Sequence, residues 1–168
     1  MVIVIIHLIF SFLLDGFLSN YTEVLSLDPS YLKTIYTIIS LVIIFRYFES
    51  EKKYIIILTI TGIIFDIVYT NTFLLNPFIF YIIYLFIKFL DYFIPNNLLT
   101  VNIKSLTAIV IYHTITYFLL QISGYHHYEI ELLLDIIVRS IIATIIYTSI
   151  SYLIFKKIFF KKYDKKII

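Results

Sequence analysis

The stretch EKKYIIILTITGIIFDIVYTNTFLLNPFIF, residues 51–80, contains the pattern that decides the fold. The short charged segment Glu49–Lys53 precedes an apolar run, Tyr54–Tyr69, and the polar link Thr70–Asn76 separates that run from the next one. Asn76-Pro77 predicts a helix start, because an acceptor side chain suits the N-cap and proline suits the first turn. The stretch therefore predicts two apolar helices, each close to the length that crosses a membrane.

The composition extends this prediction to the whole chain. Of the 168 residues, 61% are hydrophobic and 14% are charged, whereas soluble domains have about 45–50% and 25%. The mean hydropathy of +0.99 also excludes a disordered chain. We predict an all-α polytopic membrane domain at residues 1–155 and a basic cytoplasmic tail at residues 156–168. The six predicted transmembrane helices are Val2–Leu18, Tyr31–Phe48, Tyr54–Tyr69, Phe78–Ile94, Ser105–Ile122 and Leu132–Phe155.

The basic residues give the expected orientation. We expect a loop at Ser19–Asp28, a second helix start at Asp28-Pro29 and a polar link that reaches Lys104. With both termini inside, Lys33 is the only basic residue in the predicted outer loops, as the positive-inside rule requires. Ile, Lys, Asn, Tyr and Phe, which have A/T-rich codons, abound, and this indicates an A/T-rich bacterial genome. The predicted location is therefore a bacterial cytoplasmic membrane. The basic residues then on the cytoplasmic side are Arg46, Lys52, Lys53, Lys88, Lys104 and the six lysines of the tail.

Ionisable residues inside the predicted spans need an explanation, because a charge at the bilayer centre costs about 2.5–3.5 kcal/mol on insertion scales. Asp15, Asp66 and Asp135 fall near the outer ends of their spans, and Arg139 follows Asp135 by one helical turn. We expect these four to share one outer layer. They either join the helices as polar contacts or form a ligand or ion site. His113, in mid-span, is either a hydrogen-bonded core residue or a proton relay.

Other polar groups have simpler interpretations. Lys88 and Asp91 are three residues apart and are expected to pair on one helix face. In the last span, Ser140, Thr144 and Thr148 mark the face expected to pack on other helices. The loop residues His126, His127, Glu129 and Glu131 have the chemistry of metal ligands, but their spacing matches no zinc signature.

The chain offers no signature of catalysis. It contains no cysteine and only three glycines, which excludes thiolate chemistry and a glycine-rich phosphate loop. It also lacks G-x-S-x-G and H-E-x-x-H motifs. We predict no enzyme activity, no cofactor, no metal and no nucleic-acid partner. The lysine pairs of the tail are expected to meet anionic membrane lipids.

The segment Gly62–Asn76 resembles the third-span region of the rod shape-determining MreD family. That family has G-x-x-x-D at the end of a span, here Gly62 and Asp66, followed by a short polar turn and an apolar span. The predicted span count, the orientation and the basic tail fit the same family. This chain departs from it in the turn, where many members have glycines and this one has Thr70, Asn71, Leu74 and Leu75.

The resemblance implies a non-catalytic scaffold of the cell-wall elongation machinery, with a fold similar to the substrate-binding S-subunits of energy-coupling-factor transporters. The implied partners are a bitopic MreC-like protein and, through it, an MreB-like actin and a RodA-type glycosyltransferase with its transpeptidase. One alternative is a substrate-binding membrane subunit of a vitamin or small-molecule transporter. Another is an intramembrane enzyme that uses His113, Asp66 and Asp135. The residues expected to fix the fold or bind a partner are Asp15, Gly62, Asp66, His113, Asp135 and Arg139.

Overall fold

The part of the chain described by the computed structural model is helical throughout. It comprises residues 2–24, 34–48, 50–70, 72–94, 97–124 and 129–163, with backbone only for 19–24 and 160–163. A 3₁₀ turn, Phe45–Tyr47, extends the second helix, and a π-helical turn, Asp66–Thr70, extends the third. The six α-helices are α1 Val2–Val24, α2 Tyr36–Ile44, α3 Glu51–Phe65, α4 Leu75–Phe93, α5 Leu98–Ile122 and α6 Ile130–Tyr163.

Among the described residues, three helical segments are long and apolar enough to cross a membrane, which agrees with the predicted class of protein. They are α3 together with its π-helical turn, α4 and α5, of 20, 19 and 25 residues. Shorter apolar stretches lie at Val2–Leu18 and Tyr36–Tyr47. The all-α architecture predicted from the composition is therefore confirmed for the described residues.

Several predicted helix boundaries are wrong, mostly because polar residues at helix ends were assigned to loops. α1 continues to Val24, through the start of the predicted loop Ser19–Asp28. α5 begins at Leu98 and includes most of the predicted link that reaches Lys104. Its start is stabilised by a capping box between Asn97 and Thr100, which satisfies N–H groups that the first turn leaves free.

The charged segment before α3 shows the same error. α3 begins at Glu51, so Glu51, Lys52 and Lys53 of the expected loop lie in the first turn of a helix instead. α6 continues through Tyr163, so residues 156–163 of the predicted tail are helical. The predicted break at Ser123-Gly124 is confirmed as a turn, with Gly124 at φ +68°. The predicted helix start at Asp28-Pro29 and the histidines at 126 and 127 lie outside the described residues.

The six helices alternate in direction. At one end of the bundle, Glu51 at the start of α3 contacts Lys88 in the later part of α4. At the same end, Arg46, just after α2, and Lys104, near the start of α5, both contact Asp91 near the end of α4. At the opposite end, α1 contacts the start of α2, and α3 contacts the start of α4. Ring contact between His7 and Phe155 places the beginning of α1 beside the later part of α6.

Helix α2 forms the centre of the bundle, where α1, α4, α5 and α6 all contact it. All nine residues of α2, from Tyr36 to Ile44, are buried. The hydroxyl face predicted on α6 packs inward as expected, since Ser140, Thr144 and Thr148 are all buried. Small and hydroxyl side chains let membrane helices approach closely.

Helices α3 and α4 are in close contact at Gly62. A Cβ atom at this position would lie 2.6 Å from the backbone nitrogen of Pro77 and 2.7 Å from its Cα. The neighbouring atoms belong to the backbone of a proline and cannot rotate away. Gly62 therefore allows the first turn of α4 to rest directly on α3.

We expect Gly62→Ala to destabilise the bundle by about 1–3 kcal/mol, the usual cost of overpacking a well-packed interior. The matched control is Gly16→Ala, where the new Cβ would meet the end of the Tyr69 side chain, which can shift. Thermal unfolding of the purified variants in one detergent compares the two. A Gly62→Ala protein as stable as the Gly16→Ala protein would contradict the proposed backbone contact.

Candidate functional site

Asp66 is the centre of a buried hydrogen-bond network at the junction of α3 and α4. Its side chain is 1% exposed. Oδ1 accepts hydrogen bonds from the Thr72 hydroxyl at 2.6 Å and from the side-chain amide of Asn76 at 2.7 Å. The Asn76 backbone N–H donates to the same oxygen at 3.1 Å, and the Thr70 hydroxyl donates at 3.3 Å. The carboxylate thus supplies an acceptor at the start of α4, where the N-cap residue Leu74 has no side-chain acceptor.

Asn76 links this network to a third helix. Its side-chain oxygen accepts a hydrogen bond from the hydroxyl of Tyr112 on α5, at 3.0 Å, and its nitrogen also donates to Thr70, at 3.1 Å. Asn76 is fully buried. The sequence analysis assigned it only a role at a helix start and missed Tyr112. The signal in the sequence was Asn76 itself, an amide side chain at the start of an apolar run. It follows Asp66, a carboxylate within a predicted span, by ten positions.

Asp15 performs the same task for α2. Its two carboxylate oxygens accept hydrogen bonds from the backbone N–H groups of Tyr36, at 2.7 Å, and Thr37, at 2.9 Å. The N-cap residue of α2, Ile35, makes no side-chain cap. A carboxylate on one helix therefore satisfies free N–H groups at the start of the next helix, first from α1 to α2 and then from α3 to α4.

The predicted outer layer of three carboxylates and one guanidinium is present only in part. Asp135 and Arg139 form an ion pair one turn apart on α6, with 2.7 Å between Arg139 Nε and Asp135 Oδ1. The described hydrogen bonds of Asp15 and Asp66 go to helix starts and nearby side chains instead. These residues lie toward the same end of the bundle, but each carboxylate has its own set of donors.

His113 lies half-buried on α5, and its described ring contact is with the adjacent Tyr112, at 5.6 Å between centroids. Another histidine, His7 on α1, contacts two other helices. His7 Nε2 lies 3.0 Å from the Ser40 hydroxyl, and its ring stacks on Tyr147. Sequence reasoning missed this cluster, because its members come from α1, α2 and α6 and form no motif.

The cluster of His7, Ser11, Ser40 and Tyr147 joins α1, α2 and α6. Ser11 contacts Ser40 and lies 2.5 Å from the Tyr147 hydroxyl oxygen. A serine beside a histidine is the arrangement of a nucleophile and a base. Both serines are 0% exposed, however, so a substrate has no route to them in this conformation. The arrangement fits hydrogen bonding between helices.

The opposite end of the bundle holds the other ion pairs. The predicted pair of Lys88 and Asp91 is wrong, since Lys88 contacts Glu51 on α3 while Asp91 contacts Lys104 on α5. Asp91 also accepts from Arg46, at 3.3 and 3.4 Å. Lys88 and Asp91 lie on the same helix, but each contacts an opposite charge on a neighbouring helix. Lys104 is buried in this cluster, with a side chain that is 3% exposed.

Small cavities lie beside α2. Two cavities, one between α2, α3 and α4 and one near Asp91, each measure about 10 Å³. That volume corresponds to about one water molecule. Within the described residues, no group of three or more histidine, aspartate or glutamate side chains has the arrangement of a metal site.

Comparison of the chain with protein-family models, curated proteins and solved structures gives no match of any of the three kinds.

We expect Asp66→Ala to destabilise the bundle by about 2–4 kcal/mol, because it leaves several buried donors without an acceptor. Asp66→Asn keeps one side-chain oxygen for the Thr72 and Asn76 donors and should retain most of the stability. Unfolding followed by circular dichroism in detergent measures both variants. Equal losses for the two would contradict the role of Asp66 Oδ1 as the shared acceptor.

The buried ion pair allows a second test. Asp91→Asn leaves the Lys104 ammonium buried without its closest partner and should cost about 3–5 kcal/mol of stability. The double variant Asp91→Asn/Lys104→Met removes both charges and should recover most of that loss. Glu51→Gln, which breaks the exposed pair with Lys88, is the control and should have a much smaller effect. Failure of the double variant to recover stability would show that the Asp91–Lys104 pair is not the cause.

Proposed function

We propose that the chain is a six-span protein of the bacterial cytoplasmic membrane, with both termini in the cytoplasm, and that it acts as a non-catalytic scaffold of cell-wall elongation. The proposed role is that of an MreD-like protein, which organises its partners through contacts between helices. The proposed fold is similar to that of the S-subunits of energy-coupling-factor transporters.

The main support for this proposal is the structural role of Gly62 and Asp66 at the junction of α3 and α4. These are the two residues of the G-x-x-x-D motif on which the resemblance rests. Gly62 allows the backbone of Pro77 to approach, and Asp66 accepts hydrogen bonds at the start of α4. Both therefore act on one junction between helices. A motif that fixes packing suits a scaffold better than a site of chemistry.

The interior supports the same proposal. The intramembrane carboxylates bind helix starts or a neighbouring arginine, and the two described cavities have about the volume of one water molecule each. The alternation of the helices and the basic residues gathered at one end support the proposed orientation. The proposed partners are a bitopic MreC-like protein and, through it, an MreB-like actin and a RodA-type glycosyltransferase with its transpeptidase.

Affinity purification of the tagged full chain from native membranes in mild detergent, followed by mass spectrometry, tests this proposal. We expect a single-span MreC-like protein in near-stoichiometric amount. Asp66→Asn should retain that partner, whereas Asp66→Ala should lose most of it, because the partner requires the intact junction of α3 and α4.

A vitamin-sized ligand that co-purifies with an ATPase pair, in the absence of a single-span partner, would overturn the scaffold proposal. That result would favour the small-molecule transporter subunit. An unrelated six-span protein with the same tag, purified in parallel, identifies partners that bind the tag or the detergent.

A further inference from the structure

The cluster around Asp91 carries more positive charge than its carboxylate neutralises. Asp91 faces two cations, Arg46 and Lys104. Lys104 makes the closer contact, and Arg46 reaches the carboxylate only at 3.3 and 3.4 Å, through Nε and Nη2. One positive charge in this cluster is therefore without a carboxylate among the described residues.

Arg46 is placed to present that charge outward. Its side chain is 37% exposed, compared with 3% for Lys104. Among the described residues, Arg46 Nη1 makes no hydrogen bond, so the guanidinium keeps donors for an acceptor from outside the chain. A planar guanidinium held on one side by a carboxylate is well suited to bind a phosphate on the other.

The surroundings form a recess between helices. Asp91, Lys104 and Arg46 line a small cavity together with Tyr47 and Tyr152, at the ends of α2, α4 and α6 and the start of α5. Both tyrosines are half-buried. Tyrosine has an apolar ring and a polar hydroxyl, a combination typical of the level of lipid headgroups.

The position along the helices favours a lipid as the source of the phosphate. The cluster lies at the end of the bundle where Lys52, Lys53 and Lys88 are exposed. On α6, Ile150 and Leu153 near Tyr152 are each more than half exposed, so apolar side chains are available to acyl chains. Basic recesses between transmembrane helices on the cytoplasmic side are a known type of binding site for anionic headgroups.

We propose that the exposed side of Arg46, beside this water-sized recess, binds the phosphate of an anionic phospholipid. Arg46 donates to the phosphate, Asp91 holds the guanidinium in place, and Lys104 supplies a buried positive charge behind it. The site belongs to the chain alone and does not depend on the proposed role in cell-wall elongation, so the failure of one proposal leaves the other standing.

Native mass spectrometry of the full chain in detergent, titrated with phosphatidylglycerol or phosphatidylcholine of matched acyl chains, tests the site. One basic residue near the surface is worth about a fivefold change in affinity for anionic lipid. The unsubstituted chain should therefore prefer phosphatidylglycerol, and Arg46→Gln should lose more than fivefold of that preference, because it removes hydrogen bonds to the phosphate as well as a charge. Arg46→Lys should keep most of it, because the charge remains.

Lys53→Gln is the matched control. It removes one positive charge at the same end of the bundle from an exposed lysine on α3, and it should lower the preference by no more than about fivefold. Arg46→Gln keeps the Asp91–Lys104 pair and loses one partly exposed ion pair, so without added lipid it should unfold only slightly below Lys53→Gln. Equal binding of both lipids by the unsubstituted chain, or equal preferences in Arg46→Gln and Lys53→Gln, would overturn the proposal.

A further arm separates a lipid from free phosphate. Excess inorganic phosphate should leave bound phosphatidylglycerol in place, because the acyl chains add apolar contacts that the ion lacks. Complete displacement of the lipid by inorganic phosphate would overturn the assignment to a lipid and identify a site for the free anion.

Discussion

The structure depends on two contacts in which a carboxylate on one helix caps the start of the next helix. The first turn of any α-helix has N–H groups without partners in the helix, and hydrocarbon offers no water to satisfy them. Asp15 supplies acceptors to the start of α2, and Asp66 supplies one to the start of α4. Each contact fixes the position of two consecutive helices relative to one another and determines where the second one begins.

Other polar contacts extend this constraint across the bundle. Asn76 and Tyr112 connect the Asp66 network to α5, while His7, Ser40 and Tyr147 connect α1, α2 and α6. Helix α2, of which every residue is buried, contributes Ser40 to the second network. Hydrogen bonds between membrane helices are individually modest, at about 1–2 kcal/mol, so the arrangement gains its rigidity from several acting on the same helices.

The two ends of the bundle use charge differently. At one end, Asp15 and Asp66 bind helix starts and Asp135 binds Arg139 on its own helix. At the other, cations outnumber the carboxylate between them, and Arg46 remains accessible. The first arrangement supports the proposed scaffold, because it uses the carboxylates in packing. The second supports the proposed lipid site, because it leaves a donor free.

The sequence alone determined the class of fold and the residues that required an explanation. An excess of apolar residues broken by short polar links predicts helices in a membrane, and a charge inside such a helix needs a partner. For this reason Asp15, Asp66 and the hydroxyl face of α6 could be singled out. Gly62 was also predictable, because a glycine on the same face as Asp66 indicates a close approach between helices.

Only the tertiary structure decided which partner each residue meets. The sequence placed Lys88 with Asp91 because they are three apart, whereas packing gives Lys88 to Glu51 and Asp91 to Lys104. It drew attention to His113 and not to His7, whose partners lie on other helices. Spacing along one helix is local information. Contacts between helices depend on the rotation and offset of each pair, which the sequence pattern leaves open.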